Sequence, residues 1–328
     1  MRRIATSFDA VASPEALLRA WRAYASGKRR RPAVARFAVD AERRVLDLAD
    51  ALATDRYRPA SPRLLPIRDP KPRLIAVAPV GDRVVQRALY DALAPAFHRS
   101  LTDDTFACLP GRGSHRALLR FLDGMRRHDH VLHLDIARYF ASIDHAVLRD
   151  VLTARLRDAR IVRLIDRHLE AADAFHRRAE VRALQDAPPA PGRPCGLPIG
   201  HLTSQWWANV YLSDFDHHAK RVLRVPRYIR YMDDLVLFGD ERTTLRGWRR
   251  EAADWLAAHR RLALNPRKGH IRSTRRAQPY LGYRVTRGGF DLGPKAARRF
   301  AKRLPALLAG DVETLERVLE AWFATTMF

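Results

Sequence analysis

Two adjacent carboxylates, Asp233 and Asp234, sit inside the apolar and aromatic stretch Arg-Tyr-Ile-Arg-Tyr-Met-Asp-Asp-Leu-Val-Leu-Phe-Gly-Asp, residues 227–240. Neighbouring carboxylates repel each other and resist burial, and a divalent cation relieves both problems. Mg²⁺ prefers oxygen ligands and is commonly held by one or two carboxylates together with substrate phosphates. A third carboxylate, Asp135, closes the apolar run Val-Leu-His-Leu-Asp-Ile at 131–136. Three aspartates at neighbouring strand ends would hold two Mg²⁺ ions, with Mn²⁺ as a substitute, which is the apparatus of phosphoryl and nucleotidyl transfer. An Asp-Asp dipeptide alone is most often a turn or a helix cap, so the reading depends on the elements around it.

Those elements read as a mixture of helices and short antiparallel strands. Residues 227–238 make a hairpin with its turn at Met232-Asp233, and 131–136 make a strand. Residues 13–27 predict a helix that Ser13 caps and Pro14 opens, and 39–54 predict a second. Leu-Leu-Pro-Ile-Arg-Asp-Pro-Lys-Pro-Arg-Leu-Ile-Ala-Val-Ala-Pro (64–79) is a hairpin signal with a basic tip. Helices follow at 81–97, from Asp144, at 202–220 and at 244–259. Short strand-like pieces follow at 262–265, 270–274 and 280–285, and the tail from Pro294 reads as two helical segments, the last at 311–324. The stretch 186–194 is Pro-rich and must be a loop. No βαβ rhythm runs through this order, so the expected class is α+β.

The 328 residues carry 60 Lys and Arg against 36 Asp and Glu, a net charge of +24. An excess of that size points to a polyanionic partner, most often nucleic acid. Genome composition accounts for Arg over Lys but not for base over acid. Two cysteines, Cys108 and Cys195, make no disulfide framework, so a reducing cytoplasm is expected. No apolar run reaches the length of a membrane span, so no membrane partner is expected.

Tyr231-Met-Asp-Asp resembles the YxDD box of reverse transcriptases, and the blocks around it resemble that family in the correct order. Upstream are Arg73-Leu-Ile and Asp82-Arg-Val-Val-Gln, then Leu134-Asp-Ile-Ala-Arg-Tyr-Phe-Ala-Ser-Ile-Asp-His and Cys195-Gly-Leu-Pro-Ile-Gly-His-Leu-Thr-Ser-Gln. Downstream are Leu262-Ala-Leu-Asn-Pro-Arg-Lys and Tyr280-Leu-Gly-Tyr. The resemblance covers about residues 55–285 and implies a right-hand polymerase fold. Its expected parts are an N-terminal helical extension (1–54), fingers and the start of the palm (55–130), a palm (131–285) with a finger insertion at about 150–195, and a short or incomplete thumb (286–328).

The same resemblance implies site roles. Asp135, Asp233 and Asp234 would be catalytic and would hold the metals, with the Ile136 carbonyl facing them. Lys71, Arg73, Phe140, Ile199, Gly200, Gln205 and Lys268 would contact the nucleotide. Arg73 would grip the triphosphate, Phe140 would exclude a ribose 2′-hydroxyl, Gly200 would admit the template–dNTP pair, and Lys268 would protonate pyrophosphate. Ser204, Tyr231, Met232, Leu281 and Gly282 would contact template and primer. Each has a plainer alternative: a core aromatic for Phe140, a surface lysine for Lys268, a loop glycine for Gly200. Asp144 reads as a helix N-cap, Trp206 and Trp207 as core, and His217 and His218 as surface.

Pro70-Lys-Pro-Arg-Leu-Ile, Asp104-Thr-Phe-Ala-Cys-Leu-Pro-Gly-Arg-Gly-Ser-His and the Ile-Gly-x-x-x-Ser-Gln form resemble the diversity-generating retroelement branch, close to the group II-like enzymes. That implies copying of a template-repeat RNA into cDNA from a DNA or RNA primer with dNTPs, beside a basic oligomeric accessory protein. A defence-associated, antiviral reverse transcriptase shares these blocks and stays open. So does a non-catalytic RNA-binding scaffold, which the intact aspartates disfavour. An RNA-templated RNA polymerase is disfavoured by Phe140.

Overall fold

The structure is a computed structural model that describes residues 4–68, 72–183 and 192–294, together with 297, 298, 301, 302 and 305. The hairpin tip with Lys71 and the helix expected at 311–324 lie outside the described residues. So does most of the Pro-rich stretch, of which 192–194 is irregular chain. The chain divides into two compact units. The first comprises Met1–Leu101, Ala137–Asp214 and Leu256–Leu262; the second comprises Thr102–Ile136, Phe215–Trp255 and Ala263–Phe328.

The first unit is mostly helical. Ser13 caps the helix Pro14–Ala25 as the sequence predicts, its hydroxyl accepting from the Ala16 N–H at 3.2 Å. A four-residue helix, Asp9–Ala12, precedes it. The helix expected at 39–54 is present as Ala41–Ala53, and a further helix that the sequence reading did not give, Pro32–Val39, precedes it. Strands β1 (Arg63–Arg68) and β2 (Pro72–Val77) pair antiparallel as the expected hairpin, and the helix Val80–His98 follows. The latter buries Val84, Val85, Ala88 and Leu89 of the stripe read from the sequence; Ala92, read with them, is only half-buried, and Leu93 is buried instead.

The helix expected at 202–220 is broken. It runs Leu202–Tyr211, pauses at Leu212 and resumes Ser213–Arg221. At the break the Ser213 hydroxyl donates to the Val210 carbonyl at 2.8 Å, the local competition with the backbone that Ser brings to a helix. Trp206 and Trp207 are buried at 1% exposure, so they are core. His217 and His218 are half-buried rather than fully on the surface. His218 lies against Phe215 and Trp255.

The second unit is built on a four-stranded antiparallel sheet in the order β4-β5-β3-β6, where β3 is His130–Asp135, β4 Arg227–Tyr231, β5 Asp234–Gly239 and β6 Ile271–Ser273. Leu235, Val236, Leu237 and Phe238 of β5 are all buried, which suits an inner strand covered on both faces. The amphipathic helix Ser114–Arg127 covers one face with Ala117, Leu118, Phe121, Leu122 and Met125. Its Gly124 lies under the Phe238 ring, where a Cβ would come within 2.6 Å of ring carbon. A second sheet joins the same core: β7 (Gln278–Tyr280), β8 (Tyr283–Val285) and β9 (Phe290–Leu292). Phe121 stacks on Tyr280 at 4.2 Å. The β7–β8 hairpin was legible; β9 was not, because its three residues carry too short a pattern. The expected strand at 262–265 is only a bridge between Leu264 and Ile136. Among the described residues no helix is long and apolar enough to cross a membrane.

Candidate active site

Strand pairing brings two of the three aspartates face to face. In the β3–β5 register Asp135 is the partner of Asp234, and in the β4–β5 register Tyr231 is the partner of Asp234. Met232 and Asp233 are left as the two-residue turn, as the sequence suggested. Met232 takes φ +57°, a left-handed conformation costly for a residue with a side chain. The Asp233 carbonyl accepts from the Ile136 N–H at 3.3 Å, which ties the turn to the end of β3. Ile136 itself is buried.

A buried polar network stands behind the hairpin. Arg230 and Asp216 are both fully buried and paired, with Nε at 2.7 Å from Oδ1 and Nη2 at 2.7 Å from Oδ2. Tyr228 and Thr105 donate their hydroxyls to the same carboxylate, each at 2.8 Å. The Arg230 guanidinium also reaches the Met232 carbonyl at 3.4 Å. A charge pair in a dry interior survives only when the remaining lone pairs are satisfied, and here they are. Sequence reasoning missed Arg230 and Asp216. Their identities in a row of basic and acidic letters carry no sign of burial.

Asp135 is held on both oxygens. Its Oδ2 accepts from Asn265 Nδ2 at 2.9 Å and its Oδ1 from Lys268 Nζ at 2.6 Å. Lys268 stands 3.9 Å from Asp234 as well, so its ammonium lies between two of the carboxylates. Burial draws that ammonium down, but the Asp135 hydrogen bond and the charges of Asp234 and Asp135 outweigh it and raise the pKa. Asp234 keeps about half of its side chain accessible. Partial desolvation and the Asp233 charge nevertheless raise its carboxyl to about 6. Lys268 is thus a close ion-pair partner of Asp135 and Asp234. Among the described residues no three His, Cys, Asp or Glu side chains are gathered closely enough to form a metal cage. The Asp135 carboxyl is close enough to Asp234 to help raise its pKa, and it also accepts from Asn265 and Lys268.

Beside Asp234 lies a cavity of about 300 Å³ lined by His133, Lys268, Arg272, Tyr280 and Leu281 among others. Burial and the nearby Arg272 and Lys268 charges lower the His133 imidazole to about 4, so it is neutral there. Leu281 and Gly282 form the turn of the β7–β8 hairpin, with φ of +46° and +91°. Tyr231 and Leu281 pack, half-buried, on the core of this unit.

The remaining predicted site residues belong to the first unit. Arg73 is exposed on β2 opposite Ile67. Ile199 is also exposed, and its carbonyl accepts from the Ala76 N–H at 2.7 Å, so the 199–200 loop is pinned to the strand that carries Arg73. Gly200 has φ +114°, and a Cβ there would fall 2.7 Å from the Ala76 carbonyl oxygen. The glycine is thus required by its own strand neighbour, before any ligand is considered. Phe140 is half-buried in the short helix Tyr139–Ser142, and its carbonyl accepts from the Leu197 N–H at 2.7 Å. Ser204 is buried inside its helix, so its hydroxyl does not stand on a surface that a duplex could touch; Gln205 is half-buried. Asp144 is the N-cap expected, accepting from the Val147 N–H at 3.0 Å, with Arg193 and Arg261 on its other oxygen.

Comparisons with known proteins address the family and the fold. Residues 66–285 match the family described as reverse transcriptase (RNA-dependent DNA polymerase). The protein YkfC of Escherichia coli K12 is 26% identical, over 80% of this chain and 78% of its own length. Among solved structures, the telomerase of Candida albicans in complex with a fragment of telomeric RNA superposes with a TM-score of 0.52 at 10% identity. That match covers 74% of this chain and 48% of the telomerase. A C-terminally truncated apo telomerase from Candida tropicalis gives 0.49 at 9% identity, over 74% and 58%. This chain spans about half the length of those telomerases, and the likeness concerns the fold. With well over half of its residues under the family's pattern, and a mixed helix-and-sheet fold of the right-hand polymerase kind, the chain belongs to the reverse transcriptases, the family of RNA-directed DNA polymerases.

Proposed function

We propose that this chain copies an RNA template into DNA by two-metal nucleotidyl transfer at Asp135, Asp233 and Asp234. The observation that supports it best is the pairing of Asp135 with Asp234 across β3 and β5, with Asp233 in the adjoining turn. The donors fit Mg²⁺: they are carboxylate oxygens, and Asp234 is an anion made costly by burial and by its neighbour, which a cation would relieve. When bound, the ions would lower the pKa of the primer 3′-hydroxyl and neutralise the departing pyrophosphate. Asp135, Asp233 and Asp234 would hold them. Lys268, already charged between the carboxylates, stabilises negative charge on the leaving group and supplies a proton at Nζ.

In the first unit, Arg73 on β2 would bind the triphosphate and Phe140 would exclude a ribose 2′-hydroxyl. Ile199, Gly200 and Gln205 would face the nascent pair, with Lys71 assisting. Tyr231, Met232, Leu281 and Gly282 would lie along the primer. We keep the division into a helical extension (1–54), fingers (55–130), palm (131–285) and thumb (286–328) as the organisation this reading implies. Phosphate contacts from an excess of basic residues make the grip on the RNA–DNA duplex salt-dependent and largely sequence-independent. Within the family, the Ile199-Gly200 block that ends in Ser204-Gln205 favours a diversity-generating role on a template-repeat RNA, with a basic accessory protein.

The test is primer extension on a defined RNA template with dNTPs and Mg²⁺, comparing the wild type with Asp233→Ala/Asp234→Ala and sequencing every product. Loss of extension in the double variant is expected. Errors concentrated at template adenines support the diversity-generating reading, and accurate or untemplated product favours the defence role. A wild type that binds RNA but extends no primer would overturn the enzymatic proposal.

A further inference from the structure

We infer that Asn265 is the positioning residue for Asp135, its amide nitrogen fixing the carboxylate while its amide oxygen builds the turn that carries Lys268 to the same carboxylate. The inference rests on the reading of Asp135 as a carboxylate of the reaction centre, and it concerns how that carboxylate is aimed.

The amide of Asn265 has one orientation that satisfies both of its neighbours. The backbone N–H of Arg267 can only donate, and it points at Asn265 Oδ1 at 3.1 Å. The carboxylate of Asp135, when ionised, can only accept, and it lies 2.9 Å from Nδ2. The backbone locks the same pair, since the Asn265 N–H donates to the Asp135 carbonyl at 2.7 Å, next to the Ile136–Leu264 bridge. The Lys268 N–H closes the turn on the Asn265 carbonyl at 3.1 Å, and Lys268 Nζ then reaches Asp135 Oδ1 at 2.6 Å. Two residues three apart in one turn therefore hold the two oxygens of one carboxylate. Each oxygen keeps a further lone pair, so the carboxylate is aimed without being used up.

Few side chains can do this. Asp offers the acceptor for Arg267 but replaces the donor with a charge that repels Asp135. Ser keeps the acceptor but is too short to reach Asp135. Gln adds a methylene that moves the amide out of the turn. Orienting partners of this kind typically change metal affinity or activity 10- to 100-fold when removed, of the order of one lost hydrogen bond to a charge.

The experiment uses the full chain with Asn265→Ser and Asn265→Asp. Serine leaves the turn's backbone bonds intact, so Asn265→Ser should melt within about 2 °C of the wild type, the small effect expected of a half-buried turn position, while Asn265→Asp should melt lower because its charge faces Asp135. The expected result is a fall of about 10- to 100-fold in kcat with the KM for dNTP within about twofold. Mn²⁺ titrations followed by electron paramagnetic resonance should show weakened binding in Asn265→Ser. A crystal structure of that variant should show the Asp135 carboxylate rotated away from its wild-type position. Wild-type kcat in Asn265→Ser, with Asp135 unmoved, would mean that Asn265 only builds the turn and would overturn the inference. Should the wild type extend no primer, the enzymatic proposal fails, while the position of Asp135 in the serine variant still decides the role of Asn265.

Discussion

Two hairpins in the second unit have two-residue turns and are stabilised in opposite ways. The β7–β8 turn, Leu281-Gly282, has positive φ at both positions, the geometry whose twist matches paired strands, and one of the two is glycine. Glycine at its second position lowers the local cost of the turn, and Leu281 packs on the core beside it. The β4–β5 turn, Met232-Asp233, has no glycine, ends in a carboxylate and places Met232 at φ +57°. Its conformation is imposed from behind by Arg230, Asp216, Tyr228 and Thr105, all buried. Strained turns persist where surrounding structure over-determines them, and such turns cluster at functional sites. The difference teaches that a carboxylate turn can be rigid without local help when a satisfied buried network holds it.

Breaking that network should have the largest effect. Asp216→Ala leaves the Arg230 charge buried and unpaired, and should cost about 3–5 kcal/mol in urea denaturation. A loss below about 1 kcal/mol would show that the hairpin stands without the pair.

The local turn should respond less. Gly282→Ala puts a Cβ at φ +91° with open space around it, so only backbone strain is at issue. It should lose about 1 kcal/mol, measured in the same way.

A comparable effect of opposite sign should come from Asp234→Asn. The folded-state carboxyl is raised from 3.8 to about 6, so the ionised group opposes folding. Its contribution to stability is most favourable below about pH 4 and is lost as pH rises through about 6. Without divalent ions, Asn should therefore stabilise the protein at pH 7.5 by about 1 kcal/mol, a figure reduced because the group is half-accessible. The gain should vanish near pH 3.5. Melting curves across that range check it, and a gain that persists at low pH would contradict the assignment.

The smallest effect should be at Met232→Gly. Relief of the left-handed strain is set against the greater chain entropy of glycine, and the network already holds the turn, so stability should shift by less than about 0.5 kcal/mol. A large loss would mean that the Met232 side chain, and not the buried pair, fixes the hairpin.

Much of the site was legible because its chemistry depends on residue types at short spacings. The run 227–240 announces two apolar strands about a pair of carboxylates, and 131–136 announces a third strand that ends in Asp135; short continuous apolar runs and the intolerance of carboxylates to burial are enough. The Ser13 and Asp144 caps were legible for the same reason, since a cap depends on neighbours three residues away. The break at Ser213, the short strand β9 and the burial of Ser204 were not, because a polar residue or a three-residue strand carries too weak a local preference to outvote its surroundings.

The sequence by itself determined that three aspartates, a lysine and a basic excess are present, in the order of a reverse transcriptase, on elements of the right type. Only the tertiary structure decided that Asp135 faces Asp234, that Asn265 and Lys268 hold Asp135 from 130 and 133 residues away, and that Arg230 meets Asp216 in a dry interior. Periodicity reports which side of a strand is apolar, but strand register and the pairing of distant polar groups are set by the packing of the whole unit.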